Sequence, residues 1–141
     1  MKELKHIHKI TVRFNEVDSM GIVWHGHYIS YFEEGREAFG KKYDISYLDI
    51  LAEGFALPIV KTSTEHVLSL KYGDTITVET TFKNSRAAKM VFNYVIKNDQ
   101  NQVVCKGETA QVFILISTKE MAFSNPEFFK IWKGKHNLLD A

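Results

Sequence analysis

Four stretches of this chain alternate apolar and polar residues, and one repeats with the period of a helix. Ile10, Val12 and Phe14 alternate within 7–14 and predict a first strand. Tyr28, Phe32, Gly35, Phe39 and Tyr43 recur every three or four residues and predict a long helix over 26–43. Ile29 and Ala38 flank that stripe, and Glu33, Glu34, Arg36, Glu37, Lys41 and Lys42 cover most of the remainder. Glu33 with Arg36, and Glu37 with Lys41, are spaced to offset the like-charge pair Glu33–Glu37. A short second helix is expected over 44–53, with Ser46 as its cap.

The period then changes to two. Residues 58–70 are rich in β-branched side chains, and 75–82 place Ile76, Val78 and Phe82 on one side. Residues 89–97 alternate Met90, Phe92, Tyr94 and Ile96, and 103–117 read as one long strand with Ala110, Val112, Ile114 and Ile116 inward. Tyr72-Gly73-Asp74, Asn84-Ser85 and Asp99-Gln100-Asn101 supply turns, and Pro126 opens a short helix over 126–133. Strand, long helix and four further strands make an α+β architecture, with the helix covering the apolar face of an antiparallel sheet. Its edge strands would stay open and invite pairing with another subunit.

Composition narrows the class. The 141 residues suit one domain over 1–141, and 45% hydrophobic with 25% charged residues is ordinary for a globular fold. A formal net charge of +1 gives no single-sign field for nucleic acid. No window approaches the roughly 18 apolar residues of a membrane span, and MKELKHIHKI lacks the apolar core of a signal peptide. One cysteine, Cys105, cannot form an internal disulfide, which fits a cytoplasmic protein. The 13% aromatic content means either a well-filled core or a pocket for an apolar ligand.

The chemistry concentrates in VRFNEVDSMGIVWHGHYISYFEEGR, residues 12–36. Asp18 lies in a loop after a strand, and His25-Gly26-His27 opens the long helix. A helix N-terminus offers unpaired N–H groups and partial positive charge, which can polarise a carbonyl. A carboxylate just upstream could attack that carbonyl or activate water. A loop aspartate is more often only a turn or cap residue. His25 and His27 could instead be metal ligands, although no further Cys or His clusters nearby in sequence. Cys105 has no signalled base, and no G-x-S-x-G elbow is present.

Phe14, Glu16, Asp18, Gly21, Ile22, Val23, Trp24, His25 and Tyr28, followed by Phe32, Glu33 and Arg36, resemble the N-terminal motif of the hotdog-fold acyl-CoA thioesterases. Within them the pattern is similar to 4-hydroxybenzoyl-CoA thioesterase and the Tol–Pal-associated thioesterases. The resemblance implies a five-stranded antiparallel sheet wrapped around one central helix. It implies Asp18 as the catalytic carboxylate and His25 as the residue whose backbone N–H polarises the thioester carbonyl. Gly26 would keep the helix end open, and Arg86 and Lys89 fall near the region where the family's basic residues meet coenzyme A phosphates, with a solvated pair flanking a turn as the equal alternative; Trp24 either lines an apolar substrate pocket or fills the core. Glu16 stands where many relatives carry Asp. The expected activity is hydrolysis of acyl-CoA, with coenzyme A as part of the substrate and no metal or redox cofactor. The site would form in a homodimer or dimer of dimers. Alternatives are a thioesterase for acyl carrier protein and a non-catalytic acyl-CoA-binding module.

Overall fold

The computed structural model describes residues 3–139, so Met1 and Lys2 of the basic N-terminal segment lie outside it. The elements in order are β1 (Lys5–Thr11), a 3-10 turn (Phe14–Glu16), α1 (His27–Lys42), α2 (Tyr47–Ala52), β2 (Phe55–Ala56), β3 (Ile59–His66), β4 (Thr75–Lys83), β5 (Lys89–Lys97), β6 (Val103–Val112), β7 (Ile114–Leu115) and α3 (Glu127–Lys135). Five strands form an antiparallel sheet in the order β1-β4-β5-β6-β3, and β2 pairs with β7. The sheet wraps α1, which is the hotdog arrangement.

α1 buries Tyr28, Tyr31, Phe32, Gly35 and Phe39 against the sheet. Gly35 marks the closest crossing, where a Cβ would stand 2.6 Å from Val78 Cγ1 and 2.7 Å from Thr80 Oγ1. Phe32 stacks on Tyr94 at 4.5 Å, and Phe39 meets Phe92 edge-on at 5.3 Å. The helix-facing residues of β4 and β5 are those the alternation predicts. Ser46 caps α2 in a reciprocal capping box with Asp49. The predicted ion pairs along α1 are replaced by outside partners. Glu34 pairs with Arg13 and His8, Arg36 donates to Tyr94 Oη, and Glu37 accepts from the Tyr47 backbone N–H.

Two strand readings are corrected. β1 ends at Thr11, and Phe14 is 73% exposed in the 3-10 turn, its ring against Tyr72 at 5.6 Å. β6 stops at Val112, and the register puts Cys105, Gly107, Thr109 and Gln111 opposite the helix-facing side of β5. Phe32 already fills the space above Gly107, where an added Cβ would collide with its ring. Polar side chains therefore face the helix in paired form: Thr109 shares a 2.7 Å hydrogen bond with Tyr94 Oη, and Gln111 Nε2 donates to Leu57 O at 2.9 Å. Phe113, fully buried, takes the inward role assigned to Ile114, while Ile116 is exposed.

The two ends of α1 differ. Its C-terminal end meets an aromatic cluster of Phe82, Phe92, Phe129 and Trp132, closed by α3. Its N-terminal end meets the loop from the 3-10 turn and the segment joining β3 to β4. On the far edge, all eight residues of β3 are exposed.

Candidate active site

The loop before α1 is a small hairpin. Val17 bridges Val23 antiparallel, and the Trp24 N–H donates to Glu16 O at 3.0 Å. Asp18 begins its turn: the Asp18 N–H donates to Ile22 O at 2.8 Å and the Gly21 N–H to Asp18 O at 3.0 Å. Gly21 sits at φ +80, which an L side chain adopts only with strain. The Asp18 carboxylate is half-buried, and Oδ1 accepts the Met20 N–H at 2.9 Å. That is an Asx turn, so the structural role of a loop aspartate is real here. Only one oxygen is used. No hydrogen bond from the described residues reaches Oδ2.

Glu16 anchors this hairpin from beneath. Its carboxylate, on a residue 6% exposed, accepts the Arg13 backbone N–H at 2.7 Å, Arg13 Nη1 at 3.2 Å and Tyr31 Oη at 2.9 Å. Burial, then this hydrogen bond, pushes the Tyr31 phenol above its ordinary range, so Tyr31 donates as a neutral hydroxyl. The motif marked Glu16 only as a variant of a common Asp. The buried network beneath the loop is legible only in three dimensions.

The return arm of the hairpin leads into α1. The His27 N–H donates to Trp24 O at 3.0 Å, and Gly26 is the N-cap without a side-chain cap. The Trp24 indole lies over Gly26 so closely that a Cβ there would collide with the ring. Gly26 thus admits the Trp24 ring alongside the helix end. Trp24 itself is half-exposed, with the His25 ring 5.0 Å and the His27 ring 5.5 Å away. Among the described residues no three His, Cys, Asp or Glu side chains gather as a metal-ligand cluster.

A surface depression of about 220 Å³ opens at this helix end, lined by His25, Tyr28, His66 and the 67–69 backbone segment. His66, at the end of β3, belongs to no sequence motif. The fold brings it here, edge-on to Tyr28 at 4.9 Å and with Nδ1 3.9 Å from Cys105 Sγ. Burial pushes the Tyr28 phenol up to about 12 and the Cys105 thiol up to about 11. Both are neutral near pH 7, so Cys105 is a packed thiol and not a ready nucleophile.

Arg86 and Lys89 are not brought to this place. They flank the β4–β5 turn, beside the end of α1 where Ser85 O accepts Lys133 Nζ from α3. The Asp18 end of the sheet holds the start of β4 and the end of β5, so a β5 strand separates them, roughly 27 Å at the usual rise per residue. Within one chain these cations cannot share a contact with Asp18.

Residues 12–132 match the thioesterase-like superfamily. The chain belongs to that family. It is 32% identical over 111 residues to a putative acyl-CoA thioesterase of Bacillus subtilis, YneP, covering 77% of this chain and 80% of that one. It is 23% identical over 105 residues to the acyl-CoA thioester hydrolase YbgC of Escherichia coli O157:H7, covering 74% and 78%. Its fold matches a DHNA-CoA thioesterase from Staphylococcus aureus with TM-score 0.84 and 26% identity over 94% of this chain and 91% of that one. The chain is accordingly a thioester hydrolase of hotdog fold. Among the described residues no helix is long and apolar enough to cross a membrane.

Proposed function

We propose that this chain hydrolyses acyl-coenzyme A thioesters to the free acid and coenzyme A, with Asp18 as the reacting carboxylate. The observation that carries this is the division of labour within Asp18: Oδ1 fixes the turn, while no group of the described residues takes Oδ2, in the loop that runs into the N-terminus of α1. A turn-forming aspartate needs only one oxygen. The second is then available to attack the thioester carbonyl or to take a proton from attacking water. The backbone N–H groups at the His25–Gly26 end of α1 would stabilise the developing oxyanion. Trp24, half-exposed beside them, would cover the thioester.

The reading includes a second subunit. β3 exposes all eight residues, with unpaired backbone along one side and the exposed Val60, Val67 and Leu68 on and just beyond it. Edge-to-edge pairing of two β3 strands would cover this row and bring a second chain to the His66 side of the depression. It would also let Arg86 and Lys89 of one protomer serve a coenzyme A held by the other. The likeness to the 4-hydroxybenzoyl-CoA and Tol–Pal thioesterases is carried by the motif from Phe14 to Tyr28.

The test is Asp18→Asn, assayed against short, long and aromatic acyl-CoAs. The expected loss in kcat is about 10²–10⁴-fold, with little change in melting temperature because Asn retains the oxygen that accepts Met20 N–H. Hydrolysis near the wild-type rate would overturn the role of Asp18. Faster turnover of the same acyl group on carrier protein than on coenzyme A would move the substrate to the carrier-bound thioester. Tight acyl-CoA binding by the wild-type chain with no hydrolysis would leave a binding module.

A further inference from the structure

A second and larger cavity, about 390 Å³, lies between α1, α2 and the β5–β6 face. That falls within the roughly 300–1,000 Å³ of small-molecule sites. Ile45, Ile50, Phe55, Met90 and Phe92 give it an apolar body. Arg36 and Gln111 interrupt that lining, and Glu33, Glu37 and Tyr47 border it.

Gln111 is 4% exposed, and its Oε1 has no hydrogen-bond partner among the described residues. The amide cannot simply be turned around. Its Nε2 donates to Leu57 O at 2.9 Å, and a flip would set oxygen against oxygen. A buried acceptor therefore stands at the cavity wall in want of a donor. Arg36, half-buried, spends one of its N–H groups on Tyr94 Oη at 3.1 Å and lines the same cavity from α1 with further donors. Glu33 and Glu37 also border the cavity, so two carboxylates outnumber one guanidinium there.

We infer that this cavity binds an apolar group carrying one neutral hydroxyl, which donates to Gln111 Oε1 and accepts from Arg36. A hydroxyl is the small group that both donates and accepts. A carboxylate could pair with Arg36 but would present only acceptors to Gln111 Oε1, inside a rim of net negative charge. A bare hydrocarbon would shut Gln111 Oε1 off from any donor and return no hydrogen bond. The cavity begins about 9 Å along α1 from its first residue at Glu33, and Arg36 lies about 14 Å along. Its use for the distal part of an acyl group rests on the thioesterase reading.

The binding itself is tested without turnover, using 2-naphthol, naphthalene and 2-naphthoate as rigid probes in calorimetric titrations at neutral pH. The expected result is 2-naphthol binding about tenfold tighter than naphthalene, with 2-naphthoate no tighter than naphthalene. In Gln111→Leu the naphthol preference falls to within about twofold while naphthalene still binds, which also reports that the variant is folded. Gln111→Met replaces it if the leucine variant does not fold. Equal binding of naphthol and naphthalene by the wild type, tighter binding of naphthoate, or an unchanged preference in the variant overturns the inference. A chain that hydrolyses acyl-CoA without the naphthol preference overturns the cavity assignment alone. A chain with the preference and no hydrolysis overturns the thioesterase reading alone.

Discussion

The two ends of α1 are built on opposite rules. At its C-terminal end Phe82, Phe92, Phe129 and Trp132 stack edge and face, α3 closes over them, and Trp132 Nε1 donates to Tyr43 O at 2.7 Å. Aromatic burial supplies the rigidity there, and polar groups only complete it. At the N-terminal end the rigidity comes from a buried carboxylate and a hairpin, while Met20 and Trp24 stay 79% and 50% exposed. Hydrogen bonds fix a loop in place without covering it. Aromatic packing is concentrated at one end of the helix, and the groups proposed to react stand at the other.

Trp132→Ala is the largest blow to that separation. The indole is 5% exposed, and its loss should cost about 3–5 kcal/mol of stability, read as a shift in urea midpoint. If the ends are independent, kcat/KM per folded molecule stays within about twofold. A parallel collapse of activity in the folded fraction would mean that the aromatic end also sets the geometry of the loop.

Glu16→Gln strikes the other end. The amide keeps the shape of the side chain and the Oε1 that accepts from the Arg13 N–H and Tyr31 Oη, but it removes the charge and replaces the Oε2 acceptor of Arg13 Nη1 with an NH2 donor. A stability loss of about 1–3 kcal/mol is expected. Because the Trp24 N–H hangs on Glu16 O, kcat should fall more than KM rises, as misplacement of reacting groups does. Lost stability with an unchanged kcat would make Glu16 a fold residue only.

These two networks also explain what could be read in the chain. The helix spacing placed α1 within one residue at each end, and the alternation of Met90, Phe92, Tyr94 and Ile96 placed β5 at its observed bounds. Period is a local property, so burial on one face imprints it on the sequence. β6 broke the rule because Phe32, seventy-five residues earlier in the chain, fills the space above Gly107 and lets Thr109 and Gln111 face inward. His66 and Gln111 carry no local signal for the same reason: their surroundings come from strands and helices far away in sequence. Asp18 was legible through its motif, and the hairpin supplied the division of its two oxygens. The resemblance implied that Arg86 and Lys89 meet coenzyme A phosphates; the antiparallel run of β5 sets them at the end of the sheet away from Asp18 of the same chain.

The smallest effect concerns Cys105, which packs behind His66 at the helix-end depression and should take no part in the chemistry. Its thiol is fully buried and raised to about 11 from an ordinary value of 9.0. The sign follows from linkage. A raised acid is stabilised in its protonated form in the folded chain, so its contribution is complete below pH 9 and is lost as pH rises toward 11. Stability from urea unfolding should therefore be flat in this respect from pH 6 to 8.5 and decline between about 9 and 11. Cys105→Ala should remove part of that decline, leaving the later one from Tyr28, whose phenol titrates near 12. At neutral pH the variant should hydrolyse thioesters at the wild-type rate, since the thiol is protonated and its neighbours are His66 Nδ1, Lys106 O and the Glu65 backbone. A strong loss of activity there would show that the Cys105–His66 contact orders the depression at the helix end, and the boundary between the stable and the reacting end would have to be drawn on the other side of β6.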